Sequence, residues 1–358
     1  APPKQEALIE VDPSKEYESF PLTEIQHAYL VSRGDSSSQA TVGTTYCQIF
    51  AVDEIDLDRL DAAWGKVQKR HGMMRASVEE DGTQSIAPSS KIGHIERAEC
   101  ANSSEAKQQL EEIKRTVFAL AKPPLHRVVS ISWHEESGKQ TRLVFCFDYT
   151  VLDALSVMTV LAELAELYEN PGADLPGIGL TFRDFVVGHR RDGREVEEAE
   201  GYWRSRLPEL PPAPQLPLAA DPSTVGEGRF ERLWRTVAEP EWSAVKEKAR
   251  LHGITPSAVL LACYARVLSA WSGGGGVTLN LTIFDRPEVH PDIDKVVGDF
   301  TTLLPVACRP SADASVEAQM RGVQNELAVE GDVDERGERH GGVQVYAVES
   351  FAEVQEVA

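Results

Sequence analysis

The sequence predicts an α/β fold, an α+β sandwich, organised as two lobes. Both halves of the chain alternate short apolar runs typical of strands with longer segments whose apolar residues recur at helical spacing. A proline-rich stretch separates the halves, and prolines favour an extended path without backbone donors. The chain has 358 residues, of which 42% are hydrophobic. That length indicates roughly two domains, each with a core of its own.

The N-terminal lobe is predicted to span residues 1–173. A helix is expected to begin at Thr23, whose hydroxyl caps it while the side chain of Gln26 reaches back, which is the spacing of a capping box. Further helices and strands alternate along this lobe. The predicted helices cover residues 23–32, 57–71, 106–120 and 153–168, and the predicted strands cover residues 45–52, 75–78, 125–133 and 142–147.

A linker is predicted at residues 174–228 and a C-terminal lobe at residues 229–358. In this lobe Thr255 and Pro256 mark a helix start, with Thr as the N-cap and Pro at the first helical position. The glycines at residues 273–276 follow a helix and precede a strand, which is the reverse of the order in a phosphate-binding loop. The predicted helices cover residues 182–189, 195–207, 256–271 and 316–329, and the predicted strands cover residues 277–284 and 303–308.

Charge and composition exclude several functions. Asp and Glu number 57 against 36 for Lys and Arg, and the net charge of −21 repels nucleic acid phosphates and anionic lipid surfaces. No segment approaches the roughly 18 apolar residues of a transmembrane helix. The N-terminus lacks the basic start and apolar core of a secretory signal, and its start without Met suggests a piece of something longer. We expect a cytoplasmic enzyme or enzyme segment, without nucleic acid or membrane partners.

The five cysteines are scattered through the chain, odd in number and without a CxxC pair. This distribution argues against a disulfide framework and against a zinc site. We expect four of them to be small residues of the hydrophobic core. No metal-ligand cluster or nucleotide motif is visible in the sequence, so no metal site is expected.

Two aspartates five residues apart, Asp148 and Asp153, are the most informative feature of the chain. An apolar strand pattern ends at Phe147 and a helical pattern begins after Asp153, so the pair brackets a strand-to-helix turn. Turns held between rigid elements can direct polar side chains into a cleft, where two carboxylates are suited to acid and base chemistry. The alternative is that Asp153 is only an N-cap and Asp148 a solvated turn residue, since Asp is a preferred N-cap.

Five motifs follow one another between Phe20 and Pro305. They are Phe20-Pro21-Leu22-Thr23 with Gln26, Ala28, Tyr29 and Arg33; Asp148-xxxx-Asp153; Tyr202-Trp203-xx-Arg206-Leu207 with Ala213-Pro214-xx-Pro217-Leu218; Leu279-Asn280-Leu281-Thr282-x-Phe284-x-Arg286; and Gly298-Asp299-Phe300-Thr301. In this order they resemble the motifs of the heterocyclization domains of nonribosomal peptide synthetases, which are relatives of the condensation domains.

This resemblance implies a fold and a reaction. The fold is a pair of chloramphenicol-acetyltransferase-like lobes that form a V with a central substrate tunnel. The substrates are carried by upstream and downstream peptidyl carrier proteins on phosphopantetheine arms, next to an adenylation domain, and no cofactor is bound directly by the chain. The amine of carrier-bound Cys, Ser or Thr attacks an acyl or peptidyl thioester to make an amide. The side-chain thiol or hydroxyl then closes onto the amide carbonyl, and loss of water gives a thiazoline or oxazoline.

The resemblance also bears on the chemistry of the turn. Condensation domains carry the signature HHxxxDG there, so Asp148 takes the position of the first His, Tyr149 that of the second and Asp153 that of the Asp. Without the second His, ordinary amide synthesis through an imidazole base is disfavoured. The nearest histidines in the sequence, His126 and His134, lie at predicted strand ends, where we expect surface residues.

The aspartate pair is the candidate catalytic motif, yet a structural role is favoured over direct chemistry. The resemblance implies that the second acidic residue pairs with an arginine of the opposite lobe, which predicts a buried salt bridge between Asp153 and Arg286. Removing one partner of such a pair costs on the order of 3 to 5 kcal/mol. Two interpretations of the Gly298 motif stay open. The glycine either lets the backbone approach a ligand closely or belongs to an ordinary turn that leads into a strand. The candidate substrate-binding residues are Tyr29, Tyr149, Asp299 and Thr301.

The C-terminal lobe is expected to be incomplete. The resemblance implies a Thr and an Asp for ring closure on later strands, and no convincing counterpart follows Pro305. Residues 326–340 are dominated by charged residues and Gly, which cannot bury enough apolar area to replace strands. Because an uncovered sheet edge needs protection, we favour truncation or omitted segments over a degenerate lobe.

Two other functions stay open. One is amide condensation without ring closure, and the other is a non-catalytic module that docks carrier proteins. Carrier proteins tend to be acidic, so docking onto a chain of this charge requires local basic patches. The candidate patches are Lys69-Arg70-His71 and His189-Arg190-Arg191-x-x-Arg194, although such runs are more often solvated faces.

Overall fold

The computed structural model of the protein describes residues 8–34, 44–189, 193–221, 224 and 235–330. Within these residues the chain divides into two compact units. The first takes residues up to 189 together with Glu288–Phe300, and the second takes residues 193–287 and 301–330. Both units combine helices with a sheet, so the predicted α/β class is confirmed. The predicted lobe and linker boundaries and the V with its tunnel stay predictions.

The first unit alternates strands and helices as expected, with short strands added. Its elements are β1 (Phe20–Pro21), α1 (Glu24–Gly34), β2 (Thr45–Val52), α2 (Leu57–Arg70), β3 (Ala76–Val78), β4 (Thr83–Ile86), β5 (Glu96–Glu99), α3 (Ser103–Lys114), β6 (His126–Glu135), β7 (Gly138–Asp148), α4 (Ala154–Glu169) and α5 (Phe182–Gly188). The sequence did not predict β1, β4 or β5, since runs of two to four residues seldom show a clear period, although the equally short β3 was predicted.

A four-stranded sheet in the order β2-β7-β6-β5 carries the first unit. Neighbouring strands are antiparallel except β5 and β6, which are parallel. Thr45 lies opposite Asp148 in the register of β2 and β7. The end of β7 that carries the first aspartate of the turn therefore lies beside the start of β2.

Both faces of this sheet are covered, which explains the unbroken apolar run of β7. Phe145 and Phe147 point to one face and pack against Trp64 of α2, with ring centroids 5.9 and 6.3 Å away. Val144 and Cys146 point to the other face and pack in a cluster with residues of α3. The two sets alternate because successive side chains of a strand point to opposite faces.

A disulfide joins Cys47 of β2 to Cys146 of β7, which lie opposite each other with Cα atoms 4.1 Å apart. The sequence argued against a disulfide framework, and for this pair that expectation was wrong. The two residues are 99 positions apart and only the sheet register brings them together, so their spacing carries no signal. Of the remaining cysteines, Cys100 and Cys308 are buried as predicted, whereas Cys263 is exposed.

The second unit contains α6 (Gly193–Arg206), α7 (Glu239–Leu251), α8 (Pro256–Trp271), β8 (Val277–Phe284), β9 (Thr301–Cys308) and α9 (Val316–Glu330). Among the described residues its sheet consists of β8 and β9 in antiparallel register. Thr255 caps α8 as predicted, since its hydroxyl accepts a hydrogen bond from the backbone N of Ala258 at 3.2 Å. The proline-rich stretch runs along β8, where the carbonyl of Pro212 accepts a hydrogen bond from the backbone N of Thr278 at 3.0 Å.

The outer face of α8 is apolar and exposed. Leu260, Tyr264, Val267 and Trp271 recur at spacings of three and four residues, and between 48% and 65% of each residue is accessible to solvent. Within the described residues no single helix is long and apolar enough to cross a membrane. Among these residues, α7 and α8 would reach the length and apolar composition of a membrane-spanning helix only if they are taken together, and a bend of 102° separates them.

Candidate functional site

The turn between β7 and α4 places both aspartates inside the first unit. Asp148 is the last residue of β7, and Asp153 is the N-cap of α4, with its Oδ1 accepting a hydrogen bond from the backbone N of Ser156 at 2.6 Å. Neither residue is more than 1% exposed. The N-cap interpretation of Asp153 is therefore confirmed, whereas the interpretation of Asp148 as a solvated turn residue was wrong.

Asp148 is held by an ion pair and by two further hydrogen bonds. Nη2 of Arg33 lies 2.5 Å from its Oδ2, and Oδ1 accepts from the hydroxyl of Thr44 and from the backbone N of Thr150, both at 2.9 Å. A buried carboxylate is stable only when it is paired and hydrogen-bonded in this way. Both oxygens are acceptors in these contacts, which hold the turn against α1 and β2.

Asp153 clamps the Gly298 motif onto the first turn of α4. Its Oδ2 accepts a hydrogen bond from the backbone N of Phe300 at 3.1 Å, and its own backbone N donates to the carbonyl of Gly298 at 3.0 Å. Ser156 adds a reciprocal pair, since its hydroxyl donates to the Gly298 carbonyl at 2.8 Å and accepts from the Gly298 N at 3.0 Å. The second aspartate thus joins a helix N-terminus to a loop that lies far along the sequence.

Gly298 is required by the close packing of this loop. A Cβ at this position would lie 2.1 Å from Cδ2 of Phe182, well inside van der Waals contact. The ring of Phe300 packs beside it, 5.0 Å from the Phe182 ring and 4.8 Å from the Phe185 ring. The close approach that glycine permits is therefore to an aromatic ring of α5, and it places the buried Asp299 next to the turn.

Helix α1 is fixed to the same turn by Gln26. The predicted capping box is confirmed, since Gln26 Oε1 accepts from the backbone N of Thr23 at 2.8 Å and the Thr23 hydroxyl accepts from the backbone N of Gln26 at 3.4 Å. Gln26 does more than cap the helix, because its Nε2 also donates to the carbonyl of Thr150 at 2.7 Å and to Gln84 Oε1 at 3.0 Å. The first motif therefore both starts a helix and positions it on the aspartate turn.

Tyr29 lies on α1 between Gln26 and Arg33 and is half-buried. Burial, followed by the charges of Asp299, Asp148 and Asp153, raises the pKa of its hydroxyl to about 12. The phenol is therefore neutral at physiological pH. Among the described residues its hydroxyl has no hydrogen-bond partner.

Tyr149, which takes the position of the second condensation histidine, is held by stacking. Its ring lies on the ring of Tyr46, with centroids 5.4 Å apart and planes 16° apart, and its backbone N donates to the carbonyl of Thr44 at 2.9 Å. The hydroxyl of Tyr46 donates to Oε1 of the buried Gln48. This arrangement fixes an aromatic ring rather than an imidazole at the start of the turn.

One predicted contact, the salt bridge of Asp153 with Arg286, joins residues of different units, and the candidate substrate-binding residues also divide between the units. Asp153 and Asp299 belong to the first unit, and Arg286 and Thr301 belong to the second. The salt bridge of Asp153 with Arg286 stays a prediction, and so do the roles of Tyr149, Asp299 and Thr301 in substrate binding.

The two histidines nearest to the turn in sequence have different surroundings. His134 is exposed, as predicted. His126 is buried, so the expectation of a surface residue was wrong; its ring packs edge-on against Trp64 with centroids 5.0 Å apart. Burial lowers the pKa of His126 to about 4, which keeps the imidazole neutral. The expectation rested on the place of His126 at a strand end. In the structure His126 is the first residue of β6, and this position faces the core.

The run Lys69-Arg70-His71 is not a free basic patch. Nε of Arg70 lies 3.0 Å and Nε2 of His71 lies 2.7 Å from Oε2 of Glu163, and His71 is buried. Only Lys69 is exposed. In the second run, residues 190 and 191 lie outside the described residues, and Arg194 pairs with Glu198 at 2.8 Å. The docking patch proposed on the first run was therefore wrong.

Two residues that hold the site together, Thr44 and Ser156, were not predicted from the sequence. Thr44 and Ser156 each bridge elements that are distant in the chain, and hydroxyl residues near a turn are too common to single out. In the parts of the chain that the structure describes, no group of three or more His, Cys, Asp or Glu residues is arranged to hold a metal ion.

Residues 16–334 match the protein family described as the Condensation domain. The chain belongs to the condensation-domain family. It is 33% identical over 362 residues to phenyloxazoline synthase MbtB of Mycolicibacterium paratuberculosis, covering 94% of this chain and 30% of that protein. It is 32% identical over 298 residues to bacitracin synthase 1 of Bacillus licheniformis, covering 82% of this chain and 6% of that protein. The chain thus spans less than a third of the length of these curated relatives.

Solved structures show the same likeness. The cyclization-docking bidomain of the nonribosomal peptide synthetase EpoB from Sorangium cellulosum matches with a TM-score of 0.83 and 31% identity, over 90% of this chain and 66% of that chain. The nonribosomal peptide synthetase FmoA3 matches with a TM-score of 0.77 and 27% identity, over 90% of this chain and 34% of that chain. The predicted resemblance to heterocyclization domains of the condensation superfamily is confirmed, and so is the mixed α/β fold.

Proposed function

We propose that this chain is a heterocyclization domain of a nonribosomal peptide synthetase. It condenses a carrier-bound acyl or peptidyl thioester with carrier-bound Cys, Ser or Thr and then cyclodehydrates the amide to a thiazoline or oxazoline. The observation that carries the proposal is the buried turn from Asp148 to Asp153, which is built with aspartates where condensation domains have their histidine signature. The relatives named for phenyloxazoline synthesis and for cyclization support the ring-closing branch.

The aspartates act in this proposal as positioning residues. Asp148 holds α1 through Arg33, and Asp153 holds the Gly298 motif through the Phe300 N–H. Together they fix Tyr29 relative to the turn, which is the arrangement that a reaction between two tethered substrates requires.

Each step has a defined balance of bonds and protons. In the first step the amine forms a C–N bond, the thioester C–S bond breaks, and the pantetheine thiol leaves with the proton that the amine loses. In the second step the side-chain sulfur or oxygen forms a bond to the new amide carbonyl carbon, and its proton passes to the carbonyl oxygen. The resulting hydroxyl group leaves as water with the proton of the amide nitrogen, and a C=N bond forms. Both steps need proton transfer near neutral pH and stabilisation of developing charge.

The partners belong to the same proposal. They are upstream and downstream peptidyl carrier proteins and an adjacent adenylation domain, with phosphopantetheine arms supplied by the carriers and a cytoplasmic location. The support is that the curated relatives are much longer proteins, of which this chain matches one part. The pairing of Arg70 and His71 with Glu163 removes one candidate basic patch and weakens the alternative of a module that only docks carriers.

Intact mass of the carriers tests the proposal. An upstream carrier is loaded with an acyl group and a downstream carrier with cysteine, and the protein is added. We expect the downstream carrier to gain the acyl group and then to lose one water. A downstream carrier loaded with alanine is the matched control, since it can form the amide but has no side chain to close the ring.

The outcomes separate the candidate functions. Acyl transfer to cysteine without water loss would mean amide condensation alone and would overturn the cyclization proposal. Unchanged masses on both carriers, with the protein still bound to them, would support the docking module instead.

A further inference from the structure

Within the part of the chain that the structure describes, the hydroxyl of Tyr29 makes no hydrogen bond and lies on the helix that is fixed to the aspartate turn. We propose that Tyr29 binds the attacking amine of the carrier-bound amino acid, with its hydroxyl oxygen accepting a hydrogen bond from the amine N–H. This inference rests on the proposed function and adds to it a residue that contacts the nucleophile.

The position of Tyr29 follows from two anchors on the same helix face. Gln26 precedes it by three residues and Arg33 follows it by four, and residues at these spacings lie on one face of an α-helix. Gln26 Nε2 donates to the carbonyl of Thr150 at 2.7 Å, and Arg33 pairs with Asp148 at 2.5 Å. Tyr29, between the anchors, is therefore held against the turn and stays partly accessible.

The charges around Tyr29 indicate which group of the substrate it contacts. Burial, and after it the charges of Asp299, Asp148 and Asp153, raise the pKa of Tyr29 to about 12, so the three carboxylates make the potential at the hydroxyl more negative. A negative potential disfavours the developing oxyanion and favours a developing positive charge. The nitrogen of the attacking amine becomes positive as the C–N bond forms, whereas the thioester oxygen becomes negative.

The step balances without any change in the protonation of Tyr29. The amine lone pair forms the C–N bond, and the nitrogen carries a positive charge with its N–H directed to the Tyr29 oxygen. The C–S bond then breaks, the electron pair leaves with the pantetheine sulfur, and the nitrogen proton passes to that sulfur through solvent. A neutral phenol is suited to this role because it accepts a hydrogen bond without adding another charge.

Substitution of Tyr29 by Phe tests the inference in single-turnover reactions. We expect amide formation to slow by about 10- to 100-fold, the loss expected for one hydrogen bond to a group that becomes charged. Ring closure of a downstream carrier that already holds the acyl-cysteine amide should keep the wild-type rate, because that step no longer involves a free amine. The matched control is Tyr17→Phe, which removes a hydroxyl from a tyrosine that is 51% exposed on the same unit and should keep both rates.

A binding measurement separates this inference from the proposed function. The probes are alanyl-pantetheine with an amide in place of the thioester, and its N-acetyl counterpart. We expect the wild type to prefer the free amine and Tyr29→Phe to bind both probes alike. If the wild type forms no amide but retains this preference, the proposed function fails and the assignment of Tyr29 stands. Equal amide rates in the wild type and Tyr29→Phe, or a preference that survives the substitution, would overturn the assignment.

Discussion

Replacing Asp153 by Asn separates a structural role of the turn from direct chemistry. Asp153 Oδ1 accepts from the backbone N of Ser156 and Oδ2 accepts from the backbone N of Phe300. Asparagine has one oxygen and one NH₂ group in the same positions. Whichever way the amide is oriented, one of the two backbone N–H groups faces a donor and loses its acceptor.

The magnitude follows from that lost acceptor. Asn caps helices as well as Asp, so the favoured orientation keeps the cap and leaves the buried Phe300 N–H unsatisfied. An unsatisfied buried donor costs about 1–3 kcal/mol, and the free energy of unfolding should fall by that amount. Asp153→Ala removes the cap as well and should cost about 2–4 kcal/mol.

Urea unfolding gives the free energy of unfolding, and hydrogen exchange followed by mass spectrometry reports the Phe300 amide directly. We expect a lower unfolding midpoint and faster exchange in peptides that contain Phe300, with unchanged exchange in peptides from β8 as an internal control. Turnover should fall in parallel with the stability of the loop. An Asp153→Asn protein with wild-type stability and wild-type Phe300 exchange, but without turnover, would refute the structural role and assign Asp153 to the chemistry.

Three further predictions concern the same unit. The pKa of His126 is about 4 in the folded protein against an ordinary value of 6.5, so the neutral side chain stabilises the fold above pH 6.5 and this contribution is lost as the pH falls toward 4. In urea unfolding, the free energy of unfolding should therefore fall by about 2 kcal/mol between pH 7 and pH 5. The His126→Leu variant should not show this part of the pH dependence. Gly298→Ala should lower the free energy of unfolding by roughly 1–3 kcal/mol, because the added methyl group clashes with the ring of Phe182. The control Gly201→Ala, on an open helix face, should not be destabilising. Equal melting temperatures of the two variants would contradict the packing argument. Alkylation of the denatured, unreduced chain should leave Cys47 and Cys146 unmodified and reduction should make both reactive; modification of both before reduction would mean that the disulfide does not form.

Features set by local rules were predictable from the sequence. The bounds of β2 and β8, the start of α8 at Thr255 and the N-cap at Asp153 all follow from hydrophobic period and capping preferences, which depend on a few neighbouring residues. The predicted helix over residues 106–120 shows the limit of such rules. It begins at Ser103, because Asn102 caps it through the backbone N of Glu105, and it ends at Lys114.

Features set by long-range contacts were not predictable. The pair of Arg33 with Asp148 joins residues 115 positions apart, and the bonds between Ser156 and Gly298 join residues 142 positions apart. No local pattern indicates which of many polar residues will meet. The motifs indicated that these segments matter, but only the assembled sheet and helix ends show that they hold one another in place.

The exposed stripe on α8 has a practical consequence, since we expect it to promote self-association of this chain in solution. Four large apolar side chains in a row on one helix face present a continuous surface that water solvates poorly, and such surfaces drive self-association as concentration rises. A lysine in place of Val267 would interrupt the stripe without touching the buried face that packs on β8 and β9. Expression yield, storage concentration and the tendency to precipitate should therefore be adjustable at one helix, independently of the aspartate turn.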